Sequence, residues 1–270
     1  MFKRDRGSYI FLYIRLFLKI PGPLKTRNGP CDPPPISVTI PVMKDINPQF
    51  KSCDKELSAD ILLTVVEDEE FLSCYAFLHN VFKLYNIRLG WVYFGEIGDC
   101  QEKVKISLVR SFPGVNALQS VVGAAIEVLK PKAVFSVGCC AGFQKANTKL
   151  GDVVISAKLS TTGDKKIVGD EQQSDSRRLD VSKNIRNLIK SAADGWRAPL
   201  CDKEAPNPAV HRDREILTGV YAENCPKKCE ELLGECRGVL ALDLGGQGWN
   251  LKTIDLSFIF FRTLSLERCF

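Results

Sequence analysis

The spacing of apolar and polar positions changes along this 270-residue chain, and this periodicity predicts its secondary structure. Residues 61–66 are apolar almost throughout, which is typical of a buried strand. Residues 67–82 instead repeat large apolar side chains every three or four positions, as an amphipathic helix does: Phe71, Tyr75, Leu78 and Phe82. Acidic residues open this segment, where they favour the helix dipole. The pattern therefore predicts a strand followed by a helix.

The alternation of the two patterns continues along the chain. Strands are predicted at 91–97, 103–111, 133–138, 152–159 and 238–244, and helices at 116–130 and 182–196. Apolar strands joined by helices indicate a mixed or mainly parallel sheet that is covered on both faces. The predicted fold class is therefore α/β, with a mixed, mainly parallel central sheet flanked by helices. Ligands of such sheets bind at the carboxyl ends of the strands.

Composition divides the chain into four parts. Residues 1–28 are a basic and apolar tail, and six prolines make 29–58 an extended lead-in. Residues 59–250 hold the predicted domain, and 251–270 are expected to be a divergent tail.

The first tail does not have the composition of a membrane anchor. Its apolar stretch is interrupted by Arg15 and Lys19 and is shorter than the roughly 20 clean apolar residues that a spanning helix needs. We expect no stable membrane span and a cytoplasmic location, with secretion or membrane association as the alternative.

Charge is concentrated in the same tail. The first 27 residues hold seven of the 37 Lys and Arg residues and one of the 32 acids, so the rest of the chain is close to neutral. Nucleic-acid binding needs a basic face on the folded domain, and we expect no nucleic acid partner.

The 11 cysteines are irregularly spaced, and several lie in apolar segments, so we expect reduced thiols. Cys225, Cys229 and Cys236 come closest to a metal pattern but lack a fourth ligand, and we expect no metal site. Of the two histidines, His79 is expected on the first helix in a structural role. His211 is expected in a loop, where it is a weaker candidate for substrate contact.

The stretch 131–156 carries the most specific signal. A strand PKAVFSVG runs into the small residues CCAGF, and KLGDVVIS follows. Taken alone, Gly138 and Gly142 are also explained by a tight turn, since the stretch matches neither GxGxxG nor a Walker loop. In order and spacing, however, the stretch resembles the purine nucleoside phosphorylase and methylthioadenosine/adenosylhomocysteine nucleosidase superfamily. The resemblance extends over about residues 59–248.

The resemblance implies cleavage of the N-glycosidic bond of a purine nucleoside by phosphate or by water. Its transition state resembles a ribosyl cation, so groups are needed on the nucleophile, sugar and base sides. Glu70 matches the acid that positions the nucleophile, although its acidic neighbours allow a shift in alignment and an acid there also stabilises the helix dipole. The implied substrate-binding residues on this side are Gly114, Asn116, Gly138, Cys139, Cys140, Ala141 and Gly142.

The sugar and base sides depart from the family pattern. The family has a Met-Glu pair whose glutamate holds the ribose hydroxyls, whereas this chain has Leu244 and Gly245. Asp243 is adjacent, but successive strand residues point to opposite faces. In the family, a later strand ends in Ser-Asp, whose aspartate protonates the leaving base, and no Ser-Asp follows IDLSFIFF here. We therefore expect the last strand and helix of the family to be missing.

These observations predict a nucleoside phosphorylase-like or nucleosidase-like protein that binds a purine nucleoside or nucleotide. The alternative is a catalytically impaired binding module or an incomplete family member, because loss of a positioned general acid costs about 10²- to 10⁴-fold in rate. We expect no cofactor, with phosphate as a potential co-substrate. The resemblance also implies a homo-oligomer, since the family forms dimers, trimers or hexamers.

Overall fold

The structure is a computed structural model, and it describes residues 35–51, 58–98, 103–111, 115–143, 148–149, 151–161, 165–168, 171–174, 177–181, 183–218, 239–243 and 257–268. Its helices are α1 (Asp68–Tyr75), α2 (Val115–Leu129) and α3 (Lys183–Ser191), and a short 3-10 helix spans Met43–Asp45. Its strands are β1 (Gln49–Phe50), β2 (Ile61–Val65), β3 (His79–Asn86), β4 (Gly90–Gly98), β5 (Lys103–Arg110), β6 (Ala133–Phe143), β7 (Val153–Thr161), β8 (Lys165–Val168), β9 (Glu171–Ser174), β10 (Arg177–Asp180), β11 (Val210–Thr218), β12 (Val239–Asp243) and β13 (Ser257–Arg268).

Eleven of the described strands form one mixed sheet. Its order is β1-β3-β4-β5-β2-β6-β12-β11-β7-β10, and β13 pairs with both β6 and β7; β8 and β9 form a separate pair. The centre is parallel, because β2 pairs in parallel with β5 on one side and β6 on the other. The α/β class with a mixed sheet is thereby confirmed.

Helices cover both faces of this sheet. Alternate residues of β2 enter two core clusters: Leu63 lies with Phe71 of α1 and Ile189 of α3, whereas Leu62 lies with Val122 of α2. All five of these side chains are buried. The uninterrupted apolar run of β2 is therefore explained by burial on both sides.

Five strands close into a ring. β6 pairs with β13, β13 with β7, β7 with β11, β11 with β12, and β12 again with β6. β13 lies in the segment that was expected to be a divergent tail, so the expectation of a missing last strand is corrected. The physical reason is that the run SFIFF has high strand propensity and pairs with β6 on one side and β7 on the other.

The first helix is shorter than predicted. α1 ends at Tyr75, and the chain turns into β3, which includes His79 and Phe82. The apolar repeat misled because its members divide between the two cores: Phe71 and Leu78 pack in one, whereas Phe82 packs against the other. His79 is exposed on β3 and does not lie on a helix.

The lead-in contacts the domain at two places. Ile36 forms an isolated antiparallel bridge with Leu200, and β1 pairs in parallel with β3. Between these points Ile46 packs against the core cluster that contains α1. Within the described residues, no helix is long and apolar enough to cross a membrane.

Candidate functional site

The candidate site lies beside β6, at the point where its neighbouring strand changes. β2 pairs with the first residues of β6, and β12 pairs with Ala141 and Gly142. β13 pairs with β6 over the residues that contact β2 and also over those that contact β12. A strand has two edges, so β2 and β12 must both lie along the edge of β6 that β13 does not occupy. They run toward each other and end at Val65 and Asp243. Residues 137–140 of β6 therefore border a gap between two strand ends, called the β2–β12 cleft below.

The carboxylate of Glu70 lies at this cleft. Its Oε1 accepts a hydrogen bond from the amide of Cys139 at 2.9 Å. Its Oε2 accepts from the amides of Val66 at 2.9 Å and Glu67 at 3.1 Å. The bond to Glu67 is half of a capping box, in which the Glu67 side chain in turn accepts from the Glu70 amide. Three amides thus fix a carboxylate that is only 6% exposed.

Glycine at position 138 is required by this contact. A Cβ placed there would lie 2.6 Å from Oε1 of Glu70 and 3.2 Å from its Cδ. The stretch CCAG was expected to be a loop after a strand that ends at Gly138, and this expectation is corrected, because β6 continues to Phe143. It continues because β13 pairs with it up to Phe143. The backbone of Ala141 and Gly142 belongs to the same strand and pairs with β12.

The two adjacent cysteines occupy different environments. Cys140 is buried, whereas Cys139 is partly exposed beside the Glu70 carboxylate. Cys74, one turn further along α1, is fully buried, and burial together with the negative charge of Glu70 raises the pKa of its thiol. A thiol in that state is a core side chain and not a nucleophile.

A cation also lies at the start of α1. Arg110, at the end of β5, forms an ion pair with Asp68, and its Nε donates to the carbonyl oxygen of Val66 at 3.4 Å. Burial raises the pKa of nearby Tyr93, and Arg110 acts in the opposite direction. The guanidinium is therefore already engaged by the helix that carries Glu70.

Of the remaining predicted site residues, the structure describes Asp243 fully and Asn116 by its backbone alone. Asp243 is buried at the end of β12, beside Thr218 of β11 in the strand register. Asn116 lies on the first turn of α2, and its side chain is not described. Gly114, Leu244 and Gly245 lie outside the described residues, as do Cys225, Cys229 and Cys236.

A second carboxylate, which the sequence analysis did not single out, holds His211. Asp152 accepts hydrogen bonds from the amides of Lys149 at 3.0 Å and Ala209 at 2.8 Å, and its Oδ2 lies 2.9 Å from Nε2 of His211. Burial would raise the pKa of Asp152, but these hydrogen bonds and the His211 charge outweigh burial and lower it. The GD pair that precedes β7 was the available signal. His211 lies on β11 and not in the predicted loop.

Metal ligation has no support in the described part of the chain. Its His, Cys, Asp and Glu side chains form no group of three or more that could hold an ion. The chemistry available at the cleft is that of a fixed carboxylate, a partly exposed thiol and backbone amides.

The chain was compared with protein families, with curated proteins and with solved structures. The model of the phosphorylase superfamily matches residues 69–222. No curated protein matches the chain in sequence. Among solved structures, the S-adenosylhomocysteine nucleosidase of Streptococcus pyogenes in complex with 5-methylthiotubericidin aligns with a TM-score of 0.58 at 20% identity, covering 77% of this chain and 84% of that one.

Two further structures share the fold. The 5′-methylthioadenosine/S-adenosylhomocysteine nucleosidase of Neisseria meningitidis in complex with methylthio-immucillin-A has a TM-score of 0.57 at 17% identity, covering 76% and 85% of the two chains. A futalosine hydrolase mutant of Helicobacter pylori has a TM-score of 0.54 at 13% identity, covering 76% and 89%.

Proposed function

Because this chain belongs to the phosphorylase superfamily, we propose that it binds a purine nucleoside in the β2–β12 cleft and acts on its N-glycosidic bond as a nucleosidase. The observation that carries the proposal is the Glu70 carboxylate, which two separate segments fix beside the backbone of β6. Of the three solved structures described above, two are named nucleosidases and the third is named a futalosine hydrolase.

The geometry favours a positioning role for Glu70 toward the nucleophile. Oε1 accepts a hydrogen bond from the amide of Cys139, and a carboxylate oxygen carries two lone pairs. A water bound there would be held in a fixed direction without reorganisation of the protein. Water would add to the anomeric carbon and release one proton, with the Glu70 carboxylate as the acceptor beside it. The bond to the base nitrogen would break with its electron pair on the base, and the base would take up a proton, which gives the free sugar and the free base.

The same geometry supports water over phosphate as the nucleophile. A phosphate needs cationic or amide donors, and Arg110 is a cation that contacts the start of α1. Its guanidinium is paired with Asp68 and bonded to the Val66 carbonyl. Binding a phosphate with this group would break both contacts.

We propose slow turnover, because the groups that hold the sugar and protonate the base are replaced in the sequence. Gly245 has no side chain to accept hydrogen bonds from the ribose, and no Ser-Asp pair follows the run IDLSFIFF. β13, the strand that contains Leu266, pairs in parallel with β6. A binding module without turnover is the second candidate, and these replacements favour it.

The test combines calorimetric titration with an assay of base release, using adenosine, inosine and methylthioadenosine. Turnover that disappears in Glu70→Gln supports the nucleosidase, and binding without turnover supports the binding module. Glu69→Gln is the matched control, since it removes the same charge one position earlier on α1. Absence of both binding and turnover in the wild-type protein contradicts the proposal.

A further inference from the structure

A second cleft lies on the side of the sheet where β2 and β3 begin, whereas Glu70 lies on the side where β2 ends. β3 runs in the same direction as β2, and the cleft is at the start of β3, whereas the β2–β12 cleft is at the end of β2. Its volume is about 560 Å³. It lies between the lead-in and the far end of α1, and it is lined by Asn47, Pro48, Gln49, Lys51, Tyr75, Leu78, Asn80, Val81 and Phe82.

The residues that line this cleft carry one positive charge and no negative charge. Three carboxamides, one phenol and one ammonium group line it, and none of the lining residues is an acid. Lys51 therefore carries the only formal charge among them. Leu78, Val81 and Phe82 supply apolar wall on the side of β3.

Lys51 makes two contacts with β3, one through its backbone and one through its side chain. The backbone amide of Lys51 donates to the carbonyl oxygen of Lys83 at 3.0 Å, which extends the pairing of β1 with β3. Its Nζ lies 4.1 Å from the centroid of the Phe82 ring, and that ring stacks on Phe94 at 5.2 Å. The exposed ammonium group of Lys51 therefore lies beside Phe82, which also lines the cleft.

The carboxylate of Glu96, on the neighbouring strand β4, is bound by two other side chains. Glu96 accepts hydrogen bonds from Nδ2 of Asn80 at 3.0 Å and from Nζ of Lys103 at 3.1 Å. These bonds, with the nearby lysine charges, lower the pKa of Glu96 despite a small opposing effect of desolvation. Asn80 itself has a φ of 54°, a left-handed conformation that is uncommon for a residue other than glycine. Among the described residues, the hydrogen-bond partners of Glu96 are therefore Asn80 and Lys103 and not Lys51.

We propose that this cleft binds a small organic anion, separately from the nucleoside proposed above. The carboxylate or phosphate group of the ligand would pair with Lys51 and the carboxamides, and its apolar part would lie against Leu78, Val81 and Phe82. The site joins the lead-in to β3, so an occupied cleft stabilises the contact between them.

The test uses benzoate and phenyl phosphate as probes, which separates the two sources of anionic oxygen, and benzamide as a neutral probe of the same shape as benzoate. We expect at least one anion to bind the wild-type protein at least tenfold more tightly than benzamide. Lys51→Met should weaken that binding at least tenfold, since a charge-assisted hydrogen bond is lost. Lys44→Met, which removes an exposed lysine of the lead-in that does not line the cleft, should leave it unchanged.

Two further measurements keep the outcome decisive. Glu70→Gln should retain anion binding, because Glu70 lies at the other cleft; loss of binding there would assign the anion to the β2–β12 cleft and overturn the proposal. If Lys51→Met does not fold, ¹⁵N spectra of the wild-type protein replace it. The side-chain amide of Asn80 and the backbone amide of Lys51 should shift on addition of the anion. Shifts confined to other regions, or equal affinity for benzamide, overturn the proposal.

Discussion

The carboxylate of Glu70 accepts a hydrogen bond from the amide of Cys139, which lies 69 positions later in the chain. β2 pairs with β6 as far as Ser136 and ends at Val65, and beyond that point the Glu70 side chain accepts a hydrogen bond from a β6 amide. The contact ties the first turn of α1 to the middle of β6. It also makes the candidate site part of the framework of the sheet.

Gly138→Ala tests this contact directly. The added Cβ would lie 2.6 Å from Oε1 of Glu70, so either the carboxylate or the strand must move. We expect the free energy of unfolding to fall by about 1–3 kcal/mol, as for overpacked sites, and base release or nucleoside binding to fall with it. Urea unfolding and calorimetric titration measure the two effects.

Gly123→Ala is the control for that substitution. Gly123 lies within α2, and a Cβ there would meet nothing within 4 Å. Because alanine is favoured over glycine inside a helix by about 0.5–1 kcal/mol, this variant should be more stable or unchanged. Equal effects of the two substitutions would contradict the role assigned to Gly138.

Leu266→Asp creates a Ser-Asp pair near the end of β13 and tests whether an acid in this strand raises turnover. A positioned general acid contributes about 10²- to 10⁴-fold, so base release by the variant should rise by up to that factor. Leu266→Asn is the control, because it has nearly the same shape as the aspartate but no proton to donate. If both variants release base at the wild-type rate, the sugar side, where Gly245 stands, is the larger defect.

Stability should depend on pH through Asp152. Its pKa is lower in the folded protein than in the unfolded chain, despite burial, because the hydrogen bonds described above stabilise the carboxylate. This contribution is fully present above the unfolded value of about 3.9 and is lost as the pH falls through the folded value. Urea unfolding of the wild-type protein and Asp152→Asn should therefore differ most above about pH 5.

The difference between these two proteins should shrink as the pH falls toward 3. Asp45→Asn, at an exposed position of the lead-in, is the matched control and should follow the wild-type curve. A difference between wild type and Asp152→Asn that is constant from pH 3 to pH 7 would contradict the assignment.

The attachment of the lead-in can be tested at Ser37. Its amide donates to the carbonyl of Pro199 at 2.8 Å, and its Oγ donates to the same oxygen at 3.1 Å. Ser37→Pro removes the amide hydrogen and should cost about 1 kcal/mol, so the lead-in should be cut faster in limited proteolysis. Ser37→Ala keeps the amide and should have a smaller effect. Equal cleavage rates for all three proteins would show that this bond does not hold the lead-in.

Strands were the most predictable part of the fold. The apolar runs that became β2, β6 and β7 are buried by helices on the two faces of the sheet, and such burial leaves a signal in every residue of the run. The end of α1 was not predictable from its repeat. Phe82 continues the spacing of Phe71, yet it packs in the other core, and only the tertiary structure decides between the two.

Two residues of the candidate site, Glu70 and Gly138, were predicted from the sequence, but the contact between them was not. Glu70 and Gly138 are separated by 67 other residues, and nothing in the spacing shows that one side chain fills the space above the other. The pairing of Asp152 with His211 was missed for a similar reason. It joins the starts of β7 and β11, which become neighbours only through parallel pairing.

The ring of strands described above has a consequence for synthesis of the protein. β6 pairs with β13 from Ala133 with Ser257 onward, so one edge of β6 has no partner until residues 257–268 have left the ribosome. An unpaired edge of this kind is a template for pairing with other chains. Contacts between residues so far apart in sequence also form slowly. A ribosome stalled before Ser257 would therefore hold a nascent chain that aggregates readily, and translation of β13 is the step that covers this edge of β6.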